Sequence, residues 1–89
     1  MIYMTVEEIA KEAAIRFKKI RKIKGLSQLE LSKQSNVSYG SIKRFETTGE
    51  ISFHSLIKLC LCLDIENNIL NLFKEIPFTS IEEVIRYGE

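Results

Sequence analysis

Gly25-Leu26-Ser27-Gln28-Leu29-Glu30-Leu31-Ser32-Lys33-Gln34-Ser35-Asn36-Val37-Ser38-Tyr39-Gly40-Ser41-Ile42-Lys43-Arg44-Phe45-Glu46 is the stretch that decides the fold of this 89-residue chain. Ser27 followed by Glu30 has the spacing of a capping box, so a helix starts there. Leu31 points inward and the helix ends near Ser35. Asn36 comes next, and asparagine follows glycine in its tolerance of the left-handed conformation that closes helices. Ser38 caps a second short helix, roughly Tyr39 to Thr47, with Ile42 and Phe45 inward at helical spacing. Thr47-Thr48-Gly49-Glu50 reads as a loop. A short helix, a three-residue turn and a second short helix make the shape in which the second helix enters a DNA major groove.

The same period runs outward on both sides. Val6, Ile9, Ala13, Phe17 and Ile20 fall at steps of three and four, one face of a helix over about residues 6–24. Thr5 and Glu8 form its capping box, and Gly25 closes it after Arg21, Lys22 and Lys24, cations suited to a helix C-terminus. Downstream, Ser52 caps a fourth helix to Leu63, Asp64 sits where a helix-ending residue belongs, and a fifth runs from about Glu66 to Lys74. Pro77 stops it. The spacing leaves room for a short sixth helix from Thr79 to Tyr87. Gly and Pro total only 5 residues, too little punctuation for a strand-and-turn fold. The expectation is an all-α, compact bundle of five short helices with that short C-terminal addition.

Composition narrows the function. Hydrophobic residues make up 45% of the chain, which argues for a globular core. No apolar run approaches the roughly 20 residues of a membrane span. The N-terminus lacks the basic region, apolar stretch and cleavage site of a signal peptide, so a cytoplasmic protein is expected. Cys60 and Cys62 stand two apart, pointing in different directions on a helix, with no second ligand pair. They read as small core residues and not as a metal site. One His and no Trp leave no catalytic arrangement, so neither an enzyme nor a cofactor is expected. Net charge is only +1, but it divides unevenly. Residues 16–46 carry nine cations against Glu30 and Glu46, a net of +7, while residues 1–15 sum to −2 and 47–89 to −4. Phosphate binding needs a local cation field, not a global one.

Ile20-Arg21, Gly25-Leu26-Ser27-Gln28-x-x-Leu31-Ser32, Asn36-Val37-Ser38-x-x-x-Ile42-x-x-Phe45-Glu46 and Gly49, followed by Leu56, Leu59, Leu63 and Ile65, resemble the lambda-repressor-like helix-turn-helix family (Cro/cI or XRE type). The resemblance covers about residues 14–74. It implies a five-helix DNA-binding domain, usually dimeric, used in transcriptional control. The chain departs from the pattern at Asn36 and Asp64, where glycine is usual, and at Ser32, where alanine is usual. Each replacement is small or tolerates left-handed geometry.

Site roles follow from position and resemblance together. Tyr39, Gly40, Lys43 and Arg44 lie on the outward face of the second helix, the base-reading positions. A Lys or Arg on guanine O6 and N7 is the commonest specific contact. Tyr39 suits a thymine methyl or a phosphate, and Gly40 lets the backbone approach closely. The rival reading of Lys43 and Arg44 is a solvated charged face. By resemblance Gln28 touches a phosphate and braces the first residue of the recognition helix. Ser38 is a cap and a phosphate contact, and Thr47 and Thr48 are phosphate candidates in the loop. His54 and the cations Lys18, Lys19 and Lys22 are open between phosphate contact and plain exposure. The resemblance assigns Arg21 and Glu46 to a buried salt bridge between the first and third helices, hence to structure.

These readings place a DNA-binding domain in residues 1–75, its helix-turn-helix at about 27–47, and a C-terminal extension in 76–89 for dimer or partner contact. Helix 4 is apolar on two stripes, the second being Phe53, Ile57 and Leu61, and such a helix must be covered on both sides, by a second copy in a dimer or by the sixth helix folding back in a monomer. The expected function is a dimeric repressor of a short palindromic operator on double-stranded DNA. The alternative is an antitoxin that binds a toxin protein and represses its own operon, with the apolar, acidic tail as the toxin-binding segment.

Overall fold

A computed structural model describes residues 3–75 and Gly88. Among them lie five helices: α1 (Val6–Ile23), α2 (Gln28–Ser35), α3 (Tyr39–Thr48), α4 (Phe53–Cys62) and α5 (Glu66–Leu70). The expected sixth helix lies outside the described residues.

Each of the first four helices starts on a hydroxyl. Thr5 and Ser27 make complete capping boxes with Glu8 and Glu30, donor and acceptor paired both ways at 3.0–3.1 Å. Ser38 and Ser52 accept from the amides of Ser41 and Ser55. A serine or threonine oxygen here satisfies an amide that the helix itself leaves orphaned. The ends are equally local. Asn36 takes φ 63° and closes α2, and Gly49 takes φ 84° and closes α3. After α4, Asp64 takes φ 59°, and the amides of Asp64 and Ile65 donate to the carbonyls of Leu61 and Cys60. That is a Schellman ending with aspartate in place of glycine.

Packing joins α1 to α3, α2 to α3 and α4, and α4 to α5. The shared core holds Ala14, Phe17, Leu31, Ile42, Phe45 and Leu59. Phe17 and Phe45 meet edge to face with ring centroids 5.2 Å apart, a geometry that adds about 0.5–1.5 kcal/mol to their burial. Gly49 sits directly against α1: a Cβ there would lie 2.5 Å from the Ala10 carbonyl. The chain thus turns out of α3 at a point where only glycine fits.

Three expectations change. Val6 and Ile9 do not face the core, being 78% and 55% exposed. The inward stripe of α1 is Ala14, Phe17 and Arg21, and Ala10, one turn earlier, meets Gly49. Ala13 is exposed as well, while Phe17 and Ile20 of the expected stripe do pack on the core, so α1 departs from the expected face in its N-terminal half, where Ala10 and Ala14 stand inward in place of Val6, Ile9 and Ala13. Second, α3 runs through Thr48, so both threonines lie in its last turn and not in a loop. Third, α5 ends at Leu70 instead of Lys74. It has no side-chain cap, and turn bonds from Leu72 to Ile69 and from Lys74 to Asn71 replace helical ones. Five uncapped residues are too few to propagate.

Candidate nucleic-acid interface

The site is built from α3 outward. Ile42 and Phe45 are buried and anchor one side of the helix in the core. Tyr39, Gly40, Lys43 and Arg44 are all exposed on the other side. The four expected base-reading positions therefore share one solvent-facing surface. Two of its cations already have partners. Lys43 Nζ stands 5.0 Å from the centre of the Tyr39 ring, one turn away, where a cation is attracted to the aromatic face. Arg44 forms an ion pair with Glu50, just past the Gly49 turn. A cleft of about 320 Å³ lies beside this pair, lined by Ser41, Arg44, Glu50, Ile51, Ser52 and Ser55.

A polar cluster fixes the orientation of α3. Arg21 Nε donates to Glu46 Oε2 at 2.6 Å and Nη2 to Oε1 at 2.9 Å, a fork-on-fork pair. The third nitrogen, Nη1, donates to the Leu26 carbonyl at 2.7 Å. Gln28 Nε2 adds a bond to Glu46 Oε1 at 2.9 Å. The Glu46 carboxylate on α3 thereby ties α1 to the start of α2, and Arg21 extends the cluster to the α1–α2 turn. Gln28 braces α3 through this carboxylate and not through its first residue. Arg21 already holds the carboxylate in place, and it offers a free lone pair within reach of the amide.

The hydroxyls are engaged as well. Ser38 Oγ accepts from the Ser41 amide at 3.1 Å and donates to Ser41 Oγ at 2.7 Å. Thr47 and Thr48 donate back to the carbonyls of Lys43 and Arg44 at 2.8 and 2.7 Å. Each oxygen keeps a free lone pair, but donating to a phosphate would first break an intrahelical bond. His54 is exposed in the first turn of α4, and Lys18, Lys19 and Lys22 are exposed on α1. Arg16 pairs with Glu12 at 3.5 Å on the same helix.

Glu50 is the site residue that sequence reasoning missed. The signal was an acid six residues beyond Arg44, on the far side of a glycine turn. Its proximity depends on where Gly49 sends the chain, which sequence spacing does not show.

A helix-turn-helix family model matches residues 17–66, 50 of the 89 positions and the whole of α2, α3 and α4. The chain belongs to the XRE, lambda-repressor-like helix-turn-helix family. It is a DNA-binding transcription regulator of the XRE type. The family is one of regulatory DNA-binding domains and not of enzymes. Comparison with curated proteins matches none of them, and comparison with solved structures likewise finds no match. Among the described residues, no group of three His, Cys, Asp or Glu side chains is placed to hold a metal ion. None of the described helices is long and apolar enough to cross a membrane. The XRE match leaves residues 76–89 outside its span.

Proposed function

We propose that this XRE-type regulator is a dimeric repressor that reads a short palindromic operator with the outward face of α3. The observation that carries the reading is that face itself. Tyr39, Lys43 and Arg44 stand exposed on a helix whose other side is fixed by Ile42, Phe45 and the buried Glu46. Lys43 and Arg44 suit guanine edges, Tyr39 suits a thymine methyl, and Gly40 gives the backbone close access. Ser38, Gln28, Thr47 and Thr48 flank the face as phosphate contacts, Gln28 donating the second hydrogen of Nε2 and the three hydroxyls reorienting to donate to phosphate oxygens. The regulator works in the cytoplasm, where reduced Cys60 and Cys62 fit, and it uses no cofactor or metal.

Residues 1–75 form the DNA-binding domain and 76–89 an extension for association. Exposed Phe53 and Leu61 on α4, with exposed Leu70 and Phe73 beyond it, support a protein contact in the C-terminal half of the described chain. A second copy seated there brings two recognition helices about 34 Å apart, one turn of the duplex. The same apolar surface favours a second reading, an antitoxin whose acidic, apolar tail grips a toxin protein. Co-purification of an unrelated chain at equal stoichiometry selects that reading over the simple repressor.

Selection of binding sites from random duplex DNA with the purified protein tests the proposal. A palindrome with guanines at symmetric positions is the expected result. An enriched sequence without two-fold symmetry overturns the dimer, and no enrichment overturns base reading by α3.

A further inference from the structure

Helix α1 carries apolar side chains that the core does not use. Met4, Ile9 and Ala13 stand exposed and line a cleft of about 300 Å³ with Glu12 and Arg16. Ala13 and Arg16 also border a second cleft of about 260 Å³, lined by Phe17 and Ile20 of α1, Leu56 and Cys60 of α4, and Ile69 and Leu72 of α5. Helices α1 and α5 do not pack on each other, so an apolar groove stays open between them. We propose that this groove is the seat of the chain's own segment 78–85, which lies outside the described residues, docked there as a further helix.

Three observations select this occupant. The first is pattern. Phe78, Ile81, Val84 and Ile85 recur at steps of three and four, one apolar face of a helix. Phe78 and Ile85 are seven residues apart, about 10 Å along a helix axis. Ala13 and Ile20 on the α1 wall have the same spacing and therefore the same length.

The second is the tether. Leu72 belongs to the groove wall, and the stretch from there to Phe78 reaches at most about 20 Å. A segment on so short a link meets the groove at a millimolar effective concentration. A second copy at micromolar concentration does not compete with it. The third is charge. The segment carries Glu82 and Glu83, and Arg16 stands at the rim with its side chain 75% exposed, paired to Glu12 at 3.5 Å. Opposite charge at the rim adds a small attraction. Seated there, the segment covers the unused face of α1 and leaves Phe53 and Leu61 of α4 open to a second copy. Its outer side then serves the association proposed for residues 76–89.

Thiol footprinting of the full chain tests the seat. Ala13→Cys puts a new thiol in the groove and Leu61→Cys puts one on the other face of α4. Both positions are exposed, so neither change disturbs the core. A water-soluble maleimide labels the thiols, and peptide mass separates them from Cys60 and Cys62. Ile81→Asp with Ile85→Asp should speed labelling at position 13 by about tenfold or more, as expected when buried isoleucines lose their seat. Labelling at position 61 should not change. Ile81→Ala should act in the same direction with a smaller step, and unchanged helix content by circular dichroism ties the step to the segment and not to unfolding. Protection at position 13 should be independent of protein concentration. Equal labelling at position 13 with and without the aspartates overturns the proposal. Protection that rises with concentration also overturns it and gives the groove to a second copy. Protection at position 61 in place of 13 overturns it as well and puts the segment on α4. No DNA enters the measurement, so its outcome is separate from that of base reading by α3.

Discussion

Helix α3 carries two Arg–Glu pairs that differ in almost everything except chemistry. Arg21–Glu46 has side chains 7% and 2% exposed, with 2.6 and 2.9 Å bonds and two further partners in Leu26 and Gln28. Arg44–Glu50 has side chains 68% and 64% exposed, and the Glu50 carboxylate bonds no other side chain among the described residues. Burial separates them into different trades. A charge taken from water must be fully compensated, so losing a partner is costly and the group cannot move. A pair left in water is cheap to open, and only such a pair can trade its partner for a base. The two sides of one helix are thereby divided into a part that sets geometry and a part that is free to act.

The largest expected effect lies on the buried side. Glu46→Ala leaves Arg21 charged, buried and short of its two strongest bonds, and should cost about 3–5 kcal/mol of unfolding free energy. Chemical denaturation measures it. A loss below about 1 kcal/mol, the range of an exposed pair, would erase the distinction between the two pairs. Operator affinity of the folded fraction should fall less than for Arg44→Ala, because Glu46 itself is buried and acts on DNA only through the orientation of α3 and the hold on Gln28.

The exposed side should show the reverse. Lys43→Ala and Arg44→Ala should each weaken operator binding by about 1–3 kcal/mol per lost base contact. Their melting behaviour should stay within about 0.5 kcal/mol of wild type, as for ordinary surface changes. Titration by fluorescence anisotropy alongside thermal melts gives both numbers. An Arg44→Ala protein that binds normally would leave Arg44 as a solvated side chain and remove its functional half of the comparison.

Between these extremes, a double-mutant cycle on Arg44 and Glu50 in the free protein should return only about 0–1 kcal/mol of coupling. In 1 M salt, where the Debye length is about 3 Å, that coupling should shrink. The Arg21–Glu46 coupling should persist, since solvent ions do not reach it. Survival of the surface coupling in high salt would show that the outer pair is held by more than Coulomb attraction.

How far the sequence reveals this division depends on the range of the interaction. Caps and closures were legible, because Ser27 with Glu30, Ser38 with Ser41, and Asn36 act over three residues or fewer. The inward pair Ile42 and Phe45 was legible for the same reason, through helical spacing. The Arg21–Glu46 pairing spans 25 residues, and it was anticipated through resemblance and not through spacing. What stayed hidden was decided by the shape of neighbours. Val6 and Ile9 look like core residues, yet α3 packs along Ala14 and Phe17 instead. Thr47 and Thr48 look like loop residues, yet helix bonds to Lys43 and Arg44 absorb them. Glu50 looks like any surface acid until the Gly49 turn brings it back onto Arg44.

The smallest expected effect concerns pH and separates α3 from the helices around it. Glu8 and Glu30 accept backbone bonds from Thr5 and Ser27, and these bonds hold their carboxyls below the ordinary range. A carboxyl depressed on folding stabilises the fold in full above its unfolded value. That contribution is lost as pH falls through the folded value. Acid should therefore loosen the first turns of α1 and α2. The α3 cap is made by Ser38 and Ser41 hydroxyls, with no acidic residue in its first turn, so it has nothing to titrate. Amide exchange between pH 6 and pH 3, corrected for intrinsic rates, should show faster opening at Ser27 than at Ser41. Ser27→Ala should reduce the Glu30 part of the pH dependence without abolishing it, since the hydroxyl that helps depress Glu30 is gone while the backbone amide of residue 27 still donates to the carboxylate. If Ser41 opens in step with Ser27, the acid effect is global. The recognition helix would then owe its rigidity to the bundle as a whole and not to its own cap.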